Sequence, residues 1–192
     1  MWLVAGLGNP GPGYAQHRHN IGFRVVDELS SRIGAKFSAP ARMRAEIAEG
    51  RLGAPGADST RLVLLKSRTF MNDTGAALVR ATGYYKIEPD HLIVVHDELD
   101  LDLGRMRVKL GGGDNGHNGL KSIRKSLNTG DYYRVRVGVG RPPGRQDPAD
   151  FLLSNFGARE REDVELQISR AADAVESLIT NGLERTQSSF NC

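Results

Sequence analysis

The chain has a single cysteine among its 192 residues, Cys192 at the very end, so no disulfide can close within it. It lacks any apolar run approaching the roughly 20 residues that a membrane-spanning helix requires. Its first residues, Met1-Trp2-Leu3-Val4-Ala5, carry no basic stretch and too short an apolar one for a secretory signal. Internal repeats, low-complexity tracts and linkers long enough to separate domains are missing as well. At this length one well-buried core is the natural solution. These absences set the expectation of one cytoplasmic domain over residues 1–192, working as a monomer away from membranes.

Net charge is close to balance at +3, but it is unevenly spread. Residues 104–145 hold ten Lys or Arg against only Asp114 and Asp131, a surplus of +8. Residues 146–192 carry nine acids against four bases, and residues 1–103 balance at zero. A basic tract inside a near-neutral chain is the footprint expected for a polyphosphate partner, although a solvated face without a partner would carry the same charge.

Glycine, by contrast, is plentiful at 23 residues and falls at breaks between apolar runs. Trp2 to Leu7 reads as a buried strand ending in a Gly/Pro-rich turn over residues 8–13. Val25, Val26, Leu29 and Ile33 predict an amphipathic helix over 20–33, with Gly34 as its stop. Residues 43–50 and 61–67 read as strands joined by the turn Gly53-Ala54-Pro55-Gly56-Ala57-Asp58. A helix over 73–85, strands at 92–95 and 106–110, and a short helix with Leu120, Ile123 and Leu127 on one face follow. In the strand over 133–139, Val135, Val137 and Val139 take one side and Arg134 and Arg136 the other. Val164, Ile168, Ala171, Val175, Leu178 and Leu183 line a long helix ending near Asn181-Gly182. Strands alternating with helices predict a single three-layer α/β/α domain around a mixed, twisted sheet.

Two of the five histidines open similar runs, His19-Asn20-Ile21-Gly22 and His117-Asn118-Gly119. Imidazole exchanges protons near neutrality, and a carboxamide offers uncharged donors to a polar substrate or an oxyanion. The pairing points to hydrolysis without metal. His17 and His19 form a His-x-His pair, but at a helix start they face apart and no nearby Cys or acid completes a ligand set. No metal and no cofactor is therefore expected.

The remaining motifs each have a bland and a chemical reading. In His96-Asp97-Glu98-Leu99-Asp100, Asp97 lies nearest the strand end and is placed to orient a histidine, whereas Asp100 and Asp102 should face solvent. Asn72 or Asp73 can cap the helix that follows, or Asn72 can be a cleft amide beside Met71 as an adaptable apolar wall. The bare run Gly111 to Gly119 permits close approach of a ligand or positive φ; Asn118 is either an N-cap or a cleft amide. Gly6-Leu7-Gly8-Asn9-Pro10-Gly11 matches a dinucleotide fingerprint. However, Pro10 and Pro12 crowd the place where a helix should open its amides, and Asp27 and Glu28 fall within a helix instead of ending a second strand. That loop presents Asn9 or is simply a tight turn.

Taken together, Gly6 to Gly11, Tyr14, Arg18-His19-Asn20-x-Gly22-Phe23, Lys66-x-x-Thr69-Phe70-Met71-Asn72, His96-Asp97-x-Leu99-Asp100 and Gly116-His117-Asn118-Gly119-Leu120 resemble the bacterial peptidyl-tRNA hydrolases, in the family's order. The resemblance runs from residue 2 to about 156. It implies an esterase that frees tRNA from peptidyl-tRNA, with His19 as general base oriented by Asp97. It further implies that Asn9, Asn72 and Asn118 hold substrate, water or oxyanion, that Tyr14, Met71 and His117 line the cleft, and that Lys109, Arg136 and Arg145 meet tRNA phosphates. Ser67 departs from a frequent Pro and Asn115 from a usual Gly, which Asn can replace in left-handed backbone. His17 departs from a common Thr and could perturb the titration of His19. Two rival readings stay open on the residues alone: an RNA-binding module without chemistry, resting on the basic tract, and a nicotinamide-dependent oxidoreductase, resting on the first glycine loop.

Overall fold

The computed structural model describes residues 1–54, 56 and 58–191. Cys192 and two residues of the turn expected at 53–58, Pro55 and Ala57, lie outside the described residues. Six strands, β1 (Trp2–Gly6), β2 (Ala45–Leu52), β3 (Thr60–Ser67), β4 (Leu92–Glu98), β5 (Met106–Leu110) and β6 (Tyr133–Gly138), form one sheet in the order β2-β3-β1-β4-β6-β5. The inner four are parallel, and β2 and β5 run antiparallel at the two edges. This is the mixed α/β sheet that the pattern predicts.

Strand alternation divides the core in two. Val4, Leu62, Leu64, Ile93, Val95, Val135 and Val137 belong to one apolar cluster. Helices α1 (Ile21–Ile33), α5 (Arg161–Asn181) and α6 (Leu183–Phe190) cover it through Val25, Val26, Leu29, Ala171, Val175 and Phe190. Leu3, Ala5, Val63, Leu65, Leu92 and Val94 face the other side, against Leu78 and Ala81 of α2 (Thr74–Tyr85) and Leu120 and Ile123 of α3 (Asn118–Leu127). The chain leaving β1 therefore turns to one face, and the helices that follow β3 and β5 lie on the other. Between the carboxyl ends of β1 and β4 this divergence opens a crevice, where α/β sheets place their ligands.

Three features go beyond the expectation. β4 continues past Val95 through His96, Asp97 and Glu98, because β6 keeps pairing alongside (His96 with Arg136, Asp97 with Val137, Glu98 with Gly138). The long helix α5 stops at Asn181, as expected, but past Gly182, at φ 85°, a further helix, α6, follows it. A short helix, α4 (Pro148–Leu152), capped by Asp147 at its start, has no apolar period long enough to announce it. Among the described residues, no helix is long and apolar enough to cross a membrane.

Close backbone contact fixes α1. A Cβ on Gly22 would lie 2.4 Å from the Val95 carbonyl oxygen and 2.6 Å from the Leu7 nitrogen. Only glycine lets the first turn of α1, with His19 just ahead of it, press onto β1 and β4. Gly22→Ala is expected to cost about 2–3 kcal/mol of stability, as overpacking against immobile backbone does. Denaturant unfolding checks it, and an unchanged midpoint would contradict this account.

Candidate active site

Every strand end bordering the crevice contributes to it. Asn9 follows β1, Met71 and Asn72 follow β3, and Asp97 lies at the end of β4. His19 comes from a 3-10 turn over Arg18–Asn20 that leads into α1, and His117 and Asn118 stand at the start of α3. Asn9, His19, Met71, Asn72, Asp97, His117 and Asn118 all line one cavity of about 270 Å³, with an apolar side made by Phe70, Leu152 and Leu153.

At the centre is a carboxylate shared by two imidazoles. Asp97 Oδ2 lies 2.6 Å from His19 Nδ1, and its Oδ1 lies 2.8 Å from His117 Nε2. The second imidazole decides the protons. His117 Nδ1 accepts the backbone N–H groups of Gly119 (3.1 Å) and Leu120 (3.4 Å), so it carries no hydrogen, and in the neutral ring the proton sits on Nε2 and is donated to Asp97. His19 then donates Nδ1–H to the other oxygen, leaving its Nε2 lone pair for the cleft. His117, which the resemblance implies as cleft lining, is thus also the N-cap of α3 and a donor to Asp97. Because it takes the capping role, the Asn118 carboxamide is left without one.

The electrostatics follow from this geometry. Asp97 is fully buried, which by itself would favour the neutral acid. The two imidazoles and their hydrogen bonds prevail and hold its pKa far below the usual carboxylate range. Burial disfavours charge on His19, yet the Asp97 charge and hydrogen bond outweigh that and raise its pKa above 6.5. His17, a possible perturber in the sequence, packs its ring edge-on against Tyr14, with centroids 5.4 Å apart. His96, buried beside His117, is pushed down to about 3, first by desolvation and then by its neighbour. It stays neutral and ties Nδ1 to the Asp97 carbonyl at 2.8 Å.

The three asparagines are not equivalent. Asn9 Oδ1 accepts the Met71 N–H at 2.7 Å, which leaves its Nδ2 as a fixed donor. Asn20, the other half of the first His-Asn pair, is fully buried. Its side chain clamps the Asn9 backbone from both ends, accepting from N at 2.9 Å and donating to O at 2.8 Å. Asn72 and Asn118 make no side-chain hydrogen bond among the described residues, and neither Asn72 nor Asp73 caps the helix after it. Tyr14 does not line the cavity. Its ring instead stands edge-on to Phe70 at 5.8 Å, so it supports a wall residue from behind.

Several contributors carried no signal strong enough to single them out. Arg18 is buried and reaches across to the segment around α4. Its guanidinium bonds Ser154 Oγ and the Asn155 carbonyl (both 2.6 Å) and Glu160 (3.0 Å), and it lies 4.1 Å over the Phe151 ring. It thereby ties the apolar wall of α4 to the turn that carries His19. Glu98 is buried because Arg136 grips its Oε1 through Nε (3.0 Å) and Nη2 (2.8 Å). Asn115, at φ 50° as its substitution for glycine requires, links Glu98 (2.9 Å) to Asp100 (2.6 Å). Arg134, on the face read as polar, is buried and donates to the carbonyls of Gly112 (2.8 Å) and Gly130 (3.0 Å), pinning the glycine loop. Ser67 bonds the Thr69 carbonyl at 3.1 Å and so braces the turn where a proline is frequent.

His19, Asp97 and His117 bring potential metal-ligating atoms within 4.8 Å of one another. The cap on His117 Nδ1 argues against that use, since a metal on Nε2 would need the proton moved to Nδ1, facing two N–H donors. The dinucleotide reading meets a similar obstacle: the chain after Gly6–Gly11 makes turns and opens no helix until residue 18.

A profile of the family described as peptidyl-tRNA hydrolase matches residues 3–192. The chain belongs to the peptidyl-tRNA hydrolase family. It is 54% identical over 190 residues to the peptidyl-tRNA hydrolase of Streptomyces coelicolor, covering 99% of this chain and 94% of that one. To the peptidyl-tRNA hydrolase of Cutibacterium acnes it is 55% identical over 195 residues, with 99% and 98% covered. The crystal structure of peptidyl-tRNA hydrolase from Acinetobacter baumannii superposes with a TM-score of 0.90 at 30% identity, covering 100% of this chain and 95% of that chain. Membership in this family leaves the oxidoreductase reading without support.

Proposed function

We propose that this member of the peptidyl-tRNA hydrolase family cleaves the ester of peptidyl-tRNA by base-assisted attack of water, with His19 as the base. The observation that carries the reading is the His19 Nδ1–Asp97 Oδ2 contact of 2.6 Å, which turns the free Nε2 toward the cavity shared with Asn9 and Asn118. Nε2 takes a proton as water attacks the acyl carbon. Asn9 Nδ2 donates to the developing oxyanion, and the imidazolium returns the proton to the departing ribose oxygen. Asp97 stays ionised throughout and holds the ring. Asn72 and Asn118, with unpaired carboxamides, hold the peptide backbone and the 3′ end. Met71 and Phe70 supply the apolar wall. In this reading the enzyme works as a monomer in the cytoplasm.

Lys109, Arg136 and Arg145 take tRNA phosphates in this reading. Lys109 and Arg136 lie on adjacent strands β5 and β6, on the sheet face that carries α3 with Lys121, Arg124 and Lys125. Burial, then the guanidiniums of Arg136 and Arg134, lower the Lys109 pKa, a crowding of like charges that an anion would relieve. Because Arg136 also neutralises buried Glu98, Lys109→Ala is the cleaner probe. Its tRNA affinity should fall, with the log–log salt slope reduced by about 0.9, while cleavage of a small ester is unchanged. An unaltered slope would remove Lys109 from the interface.

Single-turnover cleavage of labelled peptidyl-tRNA in ¹⁸O water tests the reaction itself. One label in the peptide carboxylate and none on the tRNA is expected. Label on the ribose, or no turnover, would overturn the reading.

A further inference from the structure

Residues 1–103 balance at zero charge, yet folding gathers four of their arginines into one place. Arg42 and Arg44 precede β2, Arg68 follows β3, and Arg80 lies on α2. Backbone and side chain bind them together: the Arg68 N–H donates to the Arg44 carbonyl at 2.7 Å, and the Arg80 guanidinium donates to the Arg42 carbonyl at 2.5 Å. All four are exposed, and no carboxylate pairs with any of them among the described residues. The two acids of β2 are engaged elsewhere, Glu46 by Lys66 and Glu49 by the Tyr85 hydroxyl.

The backbone here is unusual. Arg42 and Arg44 both hold left-handed conformations, φ 72° and 55°, on either side of buried Met43. For side chains of this size such backbone costs about 1 kcal/mol or more per residue and persists where the surroundings impose it, often at sites of function. Beside them lies a cavity of about 600 Å³ lined by Arg42, Met43, Arg80, Tyr84 and Tyr85. Tyr84 is 70% exposed and stands edge-on to Tyr85, with ring centroids 4.8 Å apart. Arg42 and Arg80 beside an exposed tyrosine, with Arg44 and Arg68 next to them in the fold, are the chemistry that takes phosphates and stacks an unpaired base.

Position selects the partner. Arg42, Arg44 and Arg68 sit at the carboxyl end of β3, the same end of the sheet as the catalytic cavity, with Arg80 reaching back to them from α2, and Arg68 is separated from the wall residue Phe70 by one residue. The basic tract of β5, β6 and α3 lies toward the opposite edge, across β1 and β4. We propose that Arg42, Arg44, Arg68 and Arg80, with Tyr84, form a second tRNA contact, so that the substrate's RNA is held on both flanks of the cleft. This rests on the peptidyl-tRNA reading above.

Binding of deacylated tRNA, followed by fluorescence anisotropy across a salt series, tests it without requiring turnover. The variant Arg42→Asn/Arg44→Asn/Arg68→Gln removes three charges while keeping residues that tolerate left-handed backbone. At about 0.15 M salt, affinity should fall at least about tenfold and the log–log slope by about 2, with cleavage of a small ester unchanged. Tyr84→Ala should weaken binding several-fold with the slope unaltered. If Lys109→Ala weakens tRNA binding and the triple variant does not, the second contact is wrong and the function stands. If wild-type protein fails to bind tRNA at all, the functional reading falls with it. Loss confined to substrates with acidic peptides would assign the cluster to the peptide and overturn the proposal.

Discussion

His19→Ala should lower the rate of peptidyl-tRNA cleavage by about 10³ to 10⁴ with little change in tRNA affinity. General base catalysis accounts for about 10² to 10⁴ in rate, and this histidine also returns the proton to the leaving group. The loss should fall on kcat, because the tRNA contacts lie on other elements and the buried strut Asn20 still clamps the Asn9 loop. Rapid-quench deacylation and a binding isotherm on the same variant separate the two quantities. Full activity in His19→Ala would dispose of the mechanism. A parallel loss of tRNA binding would make His19 a structural residue instead.

Asp97→Asn should be nearly as damaging, for a reason written in the tautomers. Asp97 accepts two imidazole N–H groups, one on each oxygen. Asparagine has one acceptor and one donor in their place. If its NH₂ meets His19, the proton must move to Nε2 and the base is lost. If it meets His117, the proton must move to Nδ1 and the cap on α3 is lost. A rate loss of about 10² to 10⁴ is expected, in line with carboxylates that orient a catalytic histidine.

The pH profile carries a second signature. His19 must be neutral to act, so with its pKa raised the acidic limb of kcat/KM in the wild type lies above 6.5. In Asp97→Asn the raising charge is gone while burial remains, so the residual activity should show that limb below 6.5. Folding stability follows the same linkage. The pair's contribution is fully present below about 6.5, is lost as pH rises through the higher folded value, and should vanish in the variant. An acidic limb that stays in place would mean that Asp97 does not set the protonation of His19.

Much of the architecture was legible in the residues alone. Periodicity located the strands and most helices, because a strand buried on both faces reads as a continuous apolar run and an amphipathic helix as a 3.6-residue stripe. α4 escaped because five residues make barely more than one turn. The end of β4 escaped because pairing with β6, a long-range contact, extends it through polar residues. Gly34 and Asn115 were readable since positive φ selects for them locally.

At the site, residue types and order marked His19, Asp97, Asn9, Asn72 and Asn118 as candidates, and all of them line one cavity. Chemistry that depends on side-chain identity was therefore available to the sequence. Three matters were not: which nitrogen of His117 bears the proton, which face of Asn9 is free, and which arginines are spent inside the protein and which remain for a partner. Arg134 serves internal carbonyls, while Arg42, Arg44 and Arg68 have no carboxylate partner among the described residues although their region is neutral in sum. Hydrogen-bond direction and charge pairing are properties of neighbours brought together from distant positions. The sequence supplied the groups and the elements that carry them, and only the tertiary structure decided their partners.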